Sequence, residues 1–406
     1  MIPVSQAISI ILDLVKPIQD TETVTLDNSL GRILAQTITS ELDFPYWDNS
    51  AMDGYAVKFE DVINSNSENP VTLEIIEEIP AGIAPQKSLQ SGQASRIFTG
   101  AMLPQGADTI IMQENTQKHD NHVVILLSPK SPQNFVRKKG QFYQAGSPLF
   151  SSGIAINAPE ISVLATAQCP EITVYSRPRV AIISTGNELV TPAEKLHPGQ
   201  IVDSNQYALA AFVSSLGAIP LKLGIVPDNR NVLLDKMKQA INSADFVLST
   251  GGVSVGDYDY VEQLLSELGG EISIRSVAVK PGKPLTVANF DNGCVYFGLP
   301  GNPVSALVSC WRFVKPAIHK LSGLSGNWLP KFIKAKCCQD LQAGGQRETY
   351  FWGQLQLVDG EYQFELAQGS HNSGNLINLA GTNALAMLPI GTTMIQQGEK
   401  VLVMFQ

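Results

Sequence analysis

FVLSTGGVSVGDYDY, residues 246–260, is the stretch that decides the fold. Its apolar start predicts a short buried strand, Gly251 and Gly252 predict a turn, and a helix is expected to begin near Asp257. A strand that turns through glycines into a helix directs backbone N–H groups and the positive helix end toward an anion. Because Asp257 and Asp259 lie in the same turn, the stretch predicts a phosphorylated ligand whose charge a metal ion shares. The alternative is a tight strand–helix connection with an acidic cap.

Length and charge set limits on the class of protein. With 406 residues the chain is expected to form two to four domains. The net charge of −9 and the lack of a basic run argue against a general nucleic-acid binder. An anionic small ligand remains compatible with this charge, because a few lysines can dominate one pocket.

Cysteine and hydropathy patterns indicate the compartment. The five cysteines show no paired spacing and the five histidines form no HExxH motif, which suits a reducing cytosol better than disulfides or a zinc site. The N-terminus lacks the pattern of a signal peptide. The most apolar window, 208–226, is interrupted by serine, glycine, proline and lysine, so it predicts no membrane span. We therefore expect a cytoplasmic protein.

Residues 178–323 alternate between strand and helix patterns. This order predicts a mainly parallel sheet with helices on both faces, whose ligands bind beyond the carboxyl ends of the strands. The predicted strands are Val180–Ser184, Ile219–Ile225, Phe246–Ser249, Ser273–Val277 and Val295–Leu299. The polar segments STGNEL (184–189), VPDN (226–229), STGGVSVGDYD (249–259), KPGKP (280–284) and GLPGNP (298–303) are all expected at that one edge of the sheet.

The rest of the chain predicts a multidomain α/β protein. Residues 1–45 plus 136–177 are expected to form a discontinuous N-terminal domain, into which a small β domain, 46–135, is inserted. Short strands across 330–406 predict a C-terminal β-barrel or sandwich, and we take the barrel as the expectation.

Two lysines in a proline-containing loop support the prediction of an anion site. In KPGKP the prolines stiffen the loop and the glycine turns it, so Lys280 and Lys283 are held in place. Glu188 and Asp228 add carboxylates at the same edge, and oxygen ligands of this kind suit Mg²⁺. An exposed proline turn and ordinary helix caps are the competing explanations. The chain has no GxxxxGK[ST] and no GxGxxG motif, which disfavours a P-loop NTPase and a dinucleotide fold.

Taken together and in order, these motifs resemble the MoeA family of molybdopterin molybdenumtransferases, which includes the E domain of gephyrin. The resemblance covers nearly the whole chain, and residues 178–323 also resemble the single-domain MogA family. It rests on SAMDGYAV (50–57), FTGAMLPQGADTIIMQE (98–114), STGNEL, DSNQ (203–206), VPDN, STGGVSVGDYDY (249–260), VKPGKP (279–284), GLPGNPVSAL (298–307) and QGSHNSGNL (368–376).

The resemblance implies four structural units and a homodimer with an active site between subunits. It implies that molybdate and adenylyl-molybdopterin are the substrates, that AMP is released and that Mg²⁺ assists. A MogA-type adenylyltransferase and molybdoenzyme chaperones are the implied candidate partners. A non-catalytic scaffold of the gephyrin type and a tungstate-specific paralogue are the alternative functions.

The family's functional residues can be transferred one by one. The resemblance implies that Asp53 and Thr99 act from the inserted domain. The other implied roles are metal and nucleotide contacts by Glu188, Asp228 and Asp259, phosphate or molybdate contacts by Lys280 and Lys283, substrate contacts by Gly251 and Gly252, an anion pocket shaped by Pro300 and Pro303, and substrate contacts by Ser370 and Ser373 from the C-terminal domain. Asp53, Asp228, Asp259 and the two lysines are the expected catalytic set.

Two positions depart from the family pattern. The family commonly has Gly-Glu-Asp after the basic cluster, whereas Gly140 is followed here by Gln141 and Phe142. The family's C-terminal domain often shows Arg-x-x-Phe-x-Arg. Arg347 fits this pattern, but Trp352 stands where the second arginine is expected. The missing acid after Gly140 implies that its role is either dispensable or covered by Asp53. The departure at Trp352 brings local ligand contacts into question more than the reaction class.

Overall fold

The computed structural model describes residues 1–252, 260–326 and 328–405, so Asp257 and Asp259 lie outside the described residues. Two units divide the chain. The larger unit comprises Met1–Gln36, Ser152–Ile161 and Glu171–Gln406, and the smaller unit comprises Thr37–Ser151 and Ser162–Pro170. The finer domain boundaries predicted from the sequence stay a prediction.

The secondary-structure elements are numbered along the described residues. The helices are α1 (Val4–Leu14), α2 (Phe59–Val62), α3 (Ala158–Thr166), α4 (Asn205–Ser215), α5 (Arg230–Ser243), α6 (Val261–Glu267), α7 (Pro303–Ser309) and α8 (Lys315–Leu321). The strands are β1 (Thr21–Thr25), β2 (Ile38–Thr39), β3 (Asn49–Ser50), β4 (Gly54–Val57), β5 (Val71–Ile79), β6 (Gln93–Ile97), β7 (Thr109–Met112), β8 (Thr116–His119), β9 (His122–Ile125), β10 (Val136–Arg137), β11 (Pro148–Phe150), β12 (Glu171–Tyr175), β13 (Arg179–Thr185), β14 (Leu189–Val190), β15 (Ile201–Val202), β16 (Ile219–Val226), β17 (Phe246–Thr250), β18 (Glu271–Ser276), β19 (Val279–Lys280), β20 (Pro284–Asn289), β21 (Val295–Leu299), β22 (Phe332–Cys337), β23 (Leu341–Gln342), β24 (Glu348–Val358), β25 (Glu361–Leu366), β26 (Ala384–Leu388), β27 (Met394–Ile395) and β28 (Lys400–Phe405).

The main sheet of the larger unit has the strand order β16-β13-β17-β21-β20-β18. Strands β16, β13, β17 and β21 are mutually parallel, which confirms the predicted α/β class with a mainly parallel sheet. Strand β20 was not predicted. It pairs antiparallel with β21 and β18, so it begins at the edge where β21 ends. Pro284 occupies its first position, which is where a strand tolerates a residue without an N–H group.

Helices cover both faces of this sheet because its strands are apolar on both sides. In β13, Val180 and Ile182 belong to one buried cluster, and Ala181 and Ile183 belong to another. The first cluster includes side chains from α1, α4, α7 and α8, whereas the second includes side chains from α5 and α6. Because successive side chains of a strand point to opposite faces of the sheet, alternate residues of β13 belong to the apolar cores on its two sides.

The N-terminal helix α1 packs into the first of these cores. Its buried residues Val4, Ala7, Ile8 and Ile11 repeat at helical spacing. Lys320 in α8 donates a hydrogen bond to the Leu12 carbonyl at 2.6 Å. The helix is therefore tied to the α/β sheet.

Helices α7 and α8 are joined by a π-helical turn, Cys310–Val314. Pro316 stands at the beginning of α8, where its missing N–H group and its ring would disturb a regular α-helical ladder. The wider π turn immediately before it accommodates the proline. In the described part of the chain, no helix is both long and apolar enough to cross a bilayer.

The C-terminal region forms a closed β-barrel, as predicted. Its strands follow the order β24-β25-β22-β28-β26, and β26 pairs with β24 to close the ring. The barrel has its own apolar interior. Tyr350, Trp352, Leu385 and Met404, however, belong to the core of the α/β sheet. Strand β24 also pairs with β19, which places the barrel beside the KPGKP segment.

The smaller unit contains a sheet with the order β7-β4-β6-β5-β9-β8. Its apolar residues form two buried clusters, one around Tyr55 and Leu73 and the other around Ile79 and Ile110. The short strands punctuated by glycine and proline therefore do form a β structure in this part of the chain. Two short strand pairs, β3–β10 and β2–β11, join the beginning of the segment 37–151 to its end.

Candidate active site

A cavity of about 1080 Å³ opens in the larger unit at the carboxyl ends of β13, β17 and β21. Strand β20 begins at the same edge because it runs antiparallel to β21. The described lining comes from the segments 185–189, 201–205, 250–252, 280–284, 300–305, 347–352 and 371–376. The α/β sheet and the barrel both contribute.

The structure brings together many of the predicted site residues in this cavity. The predicted residues that line it are Glu188, Gly251, Gly252, Lys280, Lys283, Pro300, Pro303 and Ser373. Asp228 and Ser370 are absent from the described lining, and Asp53 and Thr99 belong to the smaller unit. Asp259 lies outside the described residues. The assigned roles of all these residues stay predictions.

The glycine pair at the end of β17 is required by a close backbone approach. Gly251 and Gly252 have φ angles of +87° and +64°, which side chains other than hydrogen rarely permit. A Cβ atom on Gly251 would lie 2.5 Å from the Thr185 carbonyl oxygen and 2.7 Å from the Thr185 hydroxyl. The turn can therefore pass against β13 only because residue 251 carries no side chain.

Three cationic side chains line the cavity. Lys280 and Lys283 are exposed and Arg347 is half-buried. Among the described residues, no carboxylate lies within ion-pair distance of any of the three. A Cβ on Gly282, between the lysines, would lie 2.8 Å from the Ser309 hydroxyl, so the loop packs closely on α7. Unneutralised cations on a fixed loop form an anion-binding surface.

Arg347 was the cation that the sequence analysis did not assign to the site. It immediately precedes β24, whose first residue donates its backbone N–H to the Ala278 carbonyl at 2.9 Å. The pairing of β24 with β19 therefore brings Arg347 to the lysine loop. The partial match to the family's C-terminal pattern was the signal in the sequence.

The two described acids of the predicted metal set differ in position. Glu188 lines the cavity and folds its carboxylate back over Gly186, where an added Cβ would lie 2.6 Å from Oε2. Asp228 pairs with Asn187, whose N–H donates to the Asp228 carboxylate at 3.3 Å, and the Asp228 N–H donates to the Asn187 side-chain oxygen at 3.0 Å. Asp228 is thereby held against the residue that precedes Glu188.

No group of three or more acidic, histidine or cysteine side chains that could hold a metal ion occurs in the ranges 1–252, 260–326 and 328–405. The two described acids offer only oxygen donors. Mg²⁺ is commonly bound by one or two carboxylates together with substrate phosphates and water. The donor chemistry of Glu188 and Asp228 fits this ion.

A serine of the barrel region contacts the start of α7. Asn302 precedes the helix and Pro303 occupies its first position. The Asn302 side chain, however, donates to the Ser373 hydroxyl at 3.1 Å rather than capping its own helix. The Val304 N–H donates to the Ser373 carbonyl at 3.2 Å. Ser370 uses its carbonyl oxygen inside its own loop, where the side chains of Asn375 and Asn378 donate to it.

The DSNQ segment forms a further wall of the cavity. Asp203 is only 3% exposed, and its carboxylate accepts a hydrogen bond from the Gln206 N–H at 3.1 Å. Asn205 donates its side-chain N–H to the Gly301 carbonyl at 2.8 Å, which links this wall to the GLPGNP loop. The segment carried part of the family resemblance, but none of its residues was among the predicted site residues.

The two departures from the family pattern lie in different environments. Trp352 is 1% exposed and its indole N–H donates to the Asn378 side chain at 2.9 Å. Phe142, in the smaller unit, is 69% exposed. The first departure is therefore part of the packed core, whereas the second presents an apolar ring at the surface of its unit.

In the smaller unit, Asp53 and Thr99 form a hydrogen-bonded pair. The Thr99 N–H and hydroxyl both donate to the same Asp53 carboxylate oxygen at 2.7 Å. These hydrogen bonds, together with the charge of Arg96, hold the pKa of Asp53 below its ordinary value. Arg96 is fixed over the rings of Tyr55 and Phe98. The arrangement keeps an exposed carboxylate ionised and oriented.

Replacement of the turn glycine tests the close approach. We expect Gly251→Ala to lower the free energy of unfolding by about 3 kcal/mol, because it adds a clash to an unfavourable φ angle. Gly269→Ala is the matched control. Gly269 has a φ of +83° and open space around it, so only the conformational cost of about 1 kcal/mol is expected. Equal costs in urea denaturation would contradict the assignment of a close approach.

Comparison with known proteins finds family matches for three regions that together cover most of the chain. Residues 2–167 match the MoeA N-terminal region (domain I and II), residues 181–320 match a probable molybdopterin binding domain, and residues 334–405 match the MoeA C-terminal region (domain IV). A molybdopterin molybdenumtransferase from a Nostoc species is 58% identical over 95% of this chain and 89% of the relative. One from Bacillus subtilis is 34% identical over 99% of this chain and 94% of the relative.

A solved structure agrees with these sequence relatives. The molybdopterin biosynthesis MoeA protein from Pyrococcus horikoshii superposes with a TM-score of 0.86 at 28% identity, covering all of both chains. The three matched regions include both the sheet and the barrel that line the cavity. The chain therefore belongs to the MoeA family of molybdopterin molybdenumtransferases, the transferases of molybdenum cofactor biosynthesis.

Proposed function

We propose that the chain inserts molybdenum from molybdate into adenylyl-molybdopterin and releases AMP in the cavity of the larger unit. The observation that carries the proposal is the set of three cations, Lys280, Lys283 and Arg347, that line one cavity without an ion-pair partner among the described residues. Both proposed substrates are anions: one contains a phosphoanhydride and the other is an oxyanion with two negative charges. A cavity with unneutralised ammonium and guanidinium groups suits both.

The residues of the chain act by binding and orientation. Lys280 and Lys283 hold phosphate or molybdate oxygens, and Arg347 adds a planar group that can bind two oxygens at once. Gly251 and Gly252 let the ligand approach the backbone closely, because no side chain stands between them. Positioning of both substrates in one site accounts for a large part of the acceleration expected from such a transferase.

Mg²⁺ is the proposed metal, with Glu188, Asp228 and Asp259 as the residues that would hold it. The support is the oxygen-only donor set of the two described acids, Glu188 and Asp228. When bound, the ion would neutralise phosphate charge that builds up as the anhydride breaks. Ser370 and Ser373 are proposed to complete the substrate contacts from the barrel side.

Removal of one cavity lysine tests the anion site. We expect Lys283→Met to lower molybdate-dependent AMP release by about 100-fold or more, because a fixed charge in a site is worth far more than one in water. Lys334→Met, on an exposed strand of the barrel, is the matched control and should retain full activity. AMP release is measured by chromatography with adenylyl-molybdopterin and molybdate present. Comparable rates for the two variants would refute the assigned role of Lys283.

Removal of the metal tests the carboxylate set. We expect EDTA to abolish AMP release and excess Mg²⁺ to restore it. Calorimetric titration of the protein with Mg²⁺ in the presence of AMP gives an independent measurement. Glu188→Gln should weaken this binding about tenfold, whereas Glu365→Gln, on an exposed strand of the barrel, should not change it. A protein that keeps its activity in EDTA would exclude the proposed metal.

The protein is further proposed to be a homodimer whose active site combines two subunits. The support is the presence of Asp53 and Thr99, which the resemblance assigns to the site, in a different unit from the cavity. The partner would contribute these two residues.

Complementation between inactive subunits tests this arrangement. We expect a dimer with Asp53→Ala in one subunit and Lys283→Met in the other to have about half of the wild-type activity, because one of two sites would be intact. The mixed dimer is purified through two different tags, and the two pure variants are the controls. If each site came from a single chain, the mixed dimer would be as inactive as its parents.

A cytoplasmic location and a supply of adenylylated pterin complete the proposal. Because the substrate is already activated by AMP, an adenylyltransferase of the MogA type must act before this protein. A molybdoenzyme chaperone is the proposed recipient of the product.

Tungstate has the same charge and shape as molybdate, so competition between the two oxyanions decides between a molybdenum enzyme and a tungstate-specific one. A folded protein that releases no AMP with either would favour the scaffold function.

A further inference from the structure

Trp352 is buried at the contact between the barrel and the α/β sheet. It lies on β24, is 1% exposed and belongs to the apolar core of the sheet. Its indole N–H donates to the Asn378 side-chain oxygen at 2.9 Å. The side chain is uncharged and its polar atom is fully used inside the protein. Trp352 is therefore arranged to hold another part of the chain.

The part that it holds is the segment 368–378, which we call the latch loop. The Asn378 side chain donates to the Ser370 carbonyl at 2.8 Å. The His371 ring packs against the Trp352 ring with centroids 4.5 Å apart, and its Nε2 donates to the Ala367 carbonyl at 2.8 Å. Both ends of the loop are thus tied to one tryptophan.

The middle of the latch loop reaches the cavity. Ser373 accepts a hydrogen bond from the Asn302 side chain on its hydroxyl and another from the Val304 N–H on its carbonyl oxygen. Ser373, Asn302 and Pro303 all line the cavity. A continuous series of contacts therefore runs from Trp352 through the latch loop to the start of α7.

We propose that Trp352 is a positioning residue whose hydrogen bond to Asn378 fastens the latch loop onto the start of α7 and so sets the affinity of the cavity for its phosphate-bearing substrate. The inference rests on the proposed function, which supplies that substrate. It assigns a role to the position where the family pattern has an arginine. The tryptophan there acts through the loop and carries no charge to the ligand.

The expected effect is on binding. A single neutral hydrogen bond shifts a two-state equilibrium about fivefold. If the fastened loop is the binding-competent state, the apparent affinity falls by the fraction of molecules in which the loop is released. Trp352 is itself among the lining residues, but the cationic residues that are proposed to bind the substrate are unchanged in a Trp352 variant, so the chemical step is expected to be unaffected once substrate is bound. KM should therefore change and kcat should not.

Trp352→Phe is the direct test, because it keeps an aromatic ring and removes the N–H donor together with part of the indole ring system. We expect KM for adenylyl-molybdopterin to rise about two- to fivefold, with kcat within about twofold of wild type. Amide hydrogen exchange should accelerate in peptides covering 302–309 and 368–378, while β22 and β28 exchange as in wild type. Trp328→Phe is the matched control. Trp328 donates its indole N–H to the Leu324 carbonyl at 2.6 Å and is absent from the described cavity lining.

Asn378→Ala provides a second variant that leaves the core intact, because Asn378 is only half-buried. It should reproduce the KM and exchange changes of Trp352→Phe, and the double variant should be no worse than the stronger single one. Unchanged exchange at 302–309 in both single variants, or additive effects in the double variant, would overturn the inference. If the wild-type protein releases no AMP, the proposed function fails, yet the exchange measurements still decide whether the latch exists.

Discussion

The burial of the barrel's outer face against the α/β sheet is the contact on which the site depends. Tyr350, Trp352, Leu385 and Met404 belong to the barrel, yet they share one apolar core with the sheet and with α1. A barrel attached only by a linker would move relative to the lysine loop. The shared core, together with the pairing of β24 with β19, fixes Arg347 and the latch loop beside residues that follow the sheet strands. Because the barrel and the α/β sheet are closely packed, residues from both line one cavity in a fixed arrangement.

The charge of the cavity is opposite in sign to that of the whole chain. A net charge of −9 repels anions at long range, but that field is screened over about 10 Å in ordinary salt. Inside the cavity, Lys280, Lys283 and Arg347 act at contact distance, and no described carboxylate lies within ion-pair distance of them. The local arrangement of charges therefore says more about the proposed ligand than the overall composition does.

The sequence was sufficient for the sheet and for the edge at which the cavity lies, because apolar runs and glycine turns act locally. Strand β20 escaped prediction because its six residues lie between a proline loop and an Asp-Asn turn, so that no long periodic pattern marks it. The position of Asp228 also required the structure, because its pairing with Asn187 joins residues 41 positions apart. The same holds for Arg347, since only the pairing of strands remote in sequence brings it to the lysine loop. Long-range pairing of this kind leaves no trace in local residue patterns.

At position 352 a buried tryptophan stands where the family pattern has an arginine. An arginine at this position would bring charge toward the ligand, but a guanidinium buried in an apolar core would require a partner for every donor. The indole needs only one partner, and Asn378 supplies it. The rest of its surface adds apolar burial to the contact between barrel and sheet. The cavity then depends on Arg347 and the two lysines for its positive charge, and on the rigidity of the latch loop for keeping Ser373 at the start of α7.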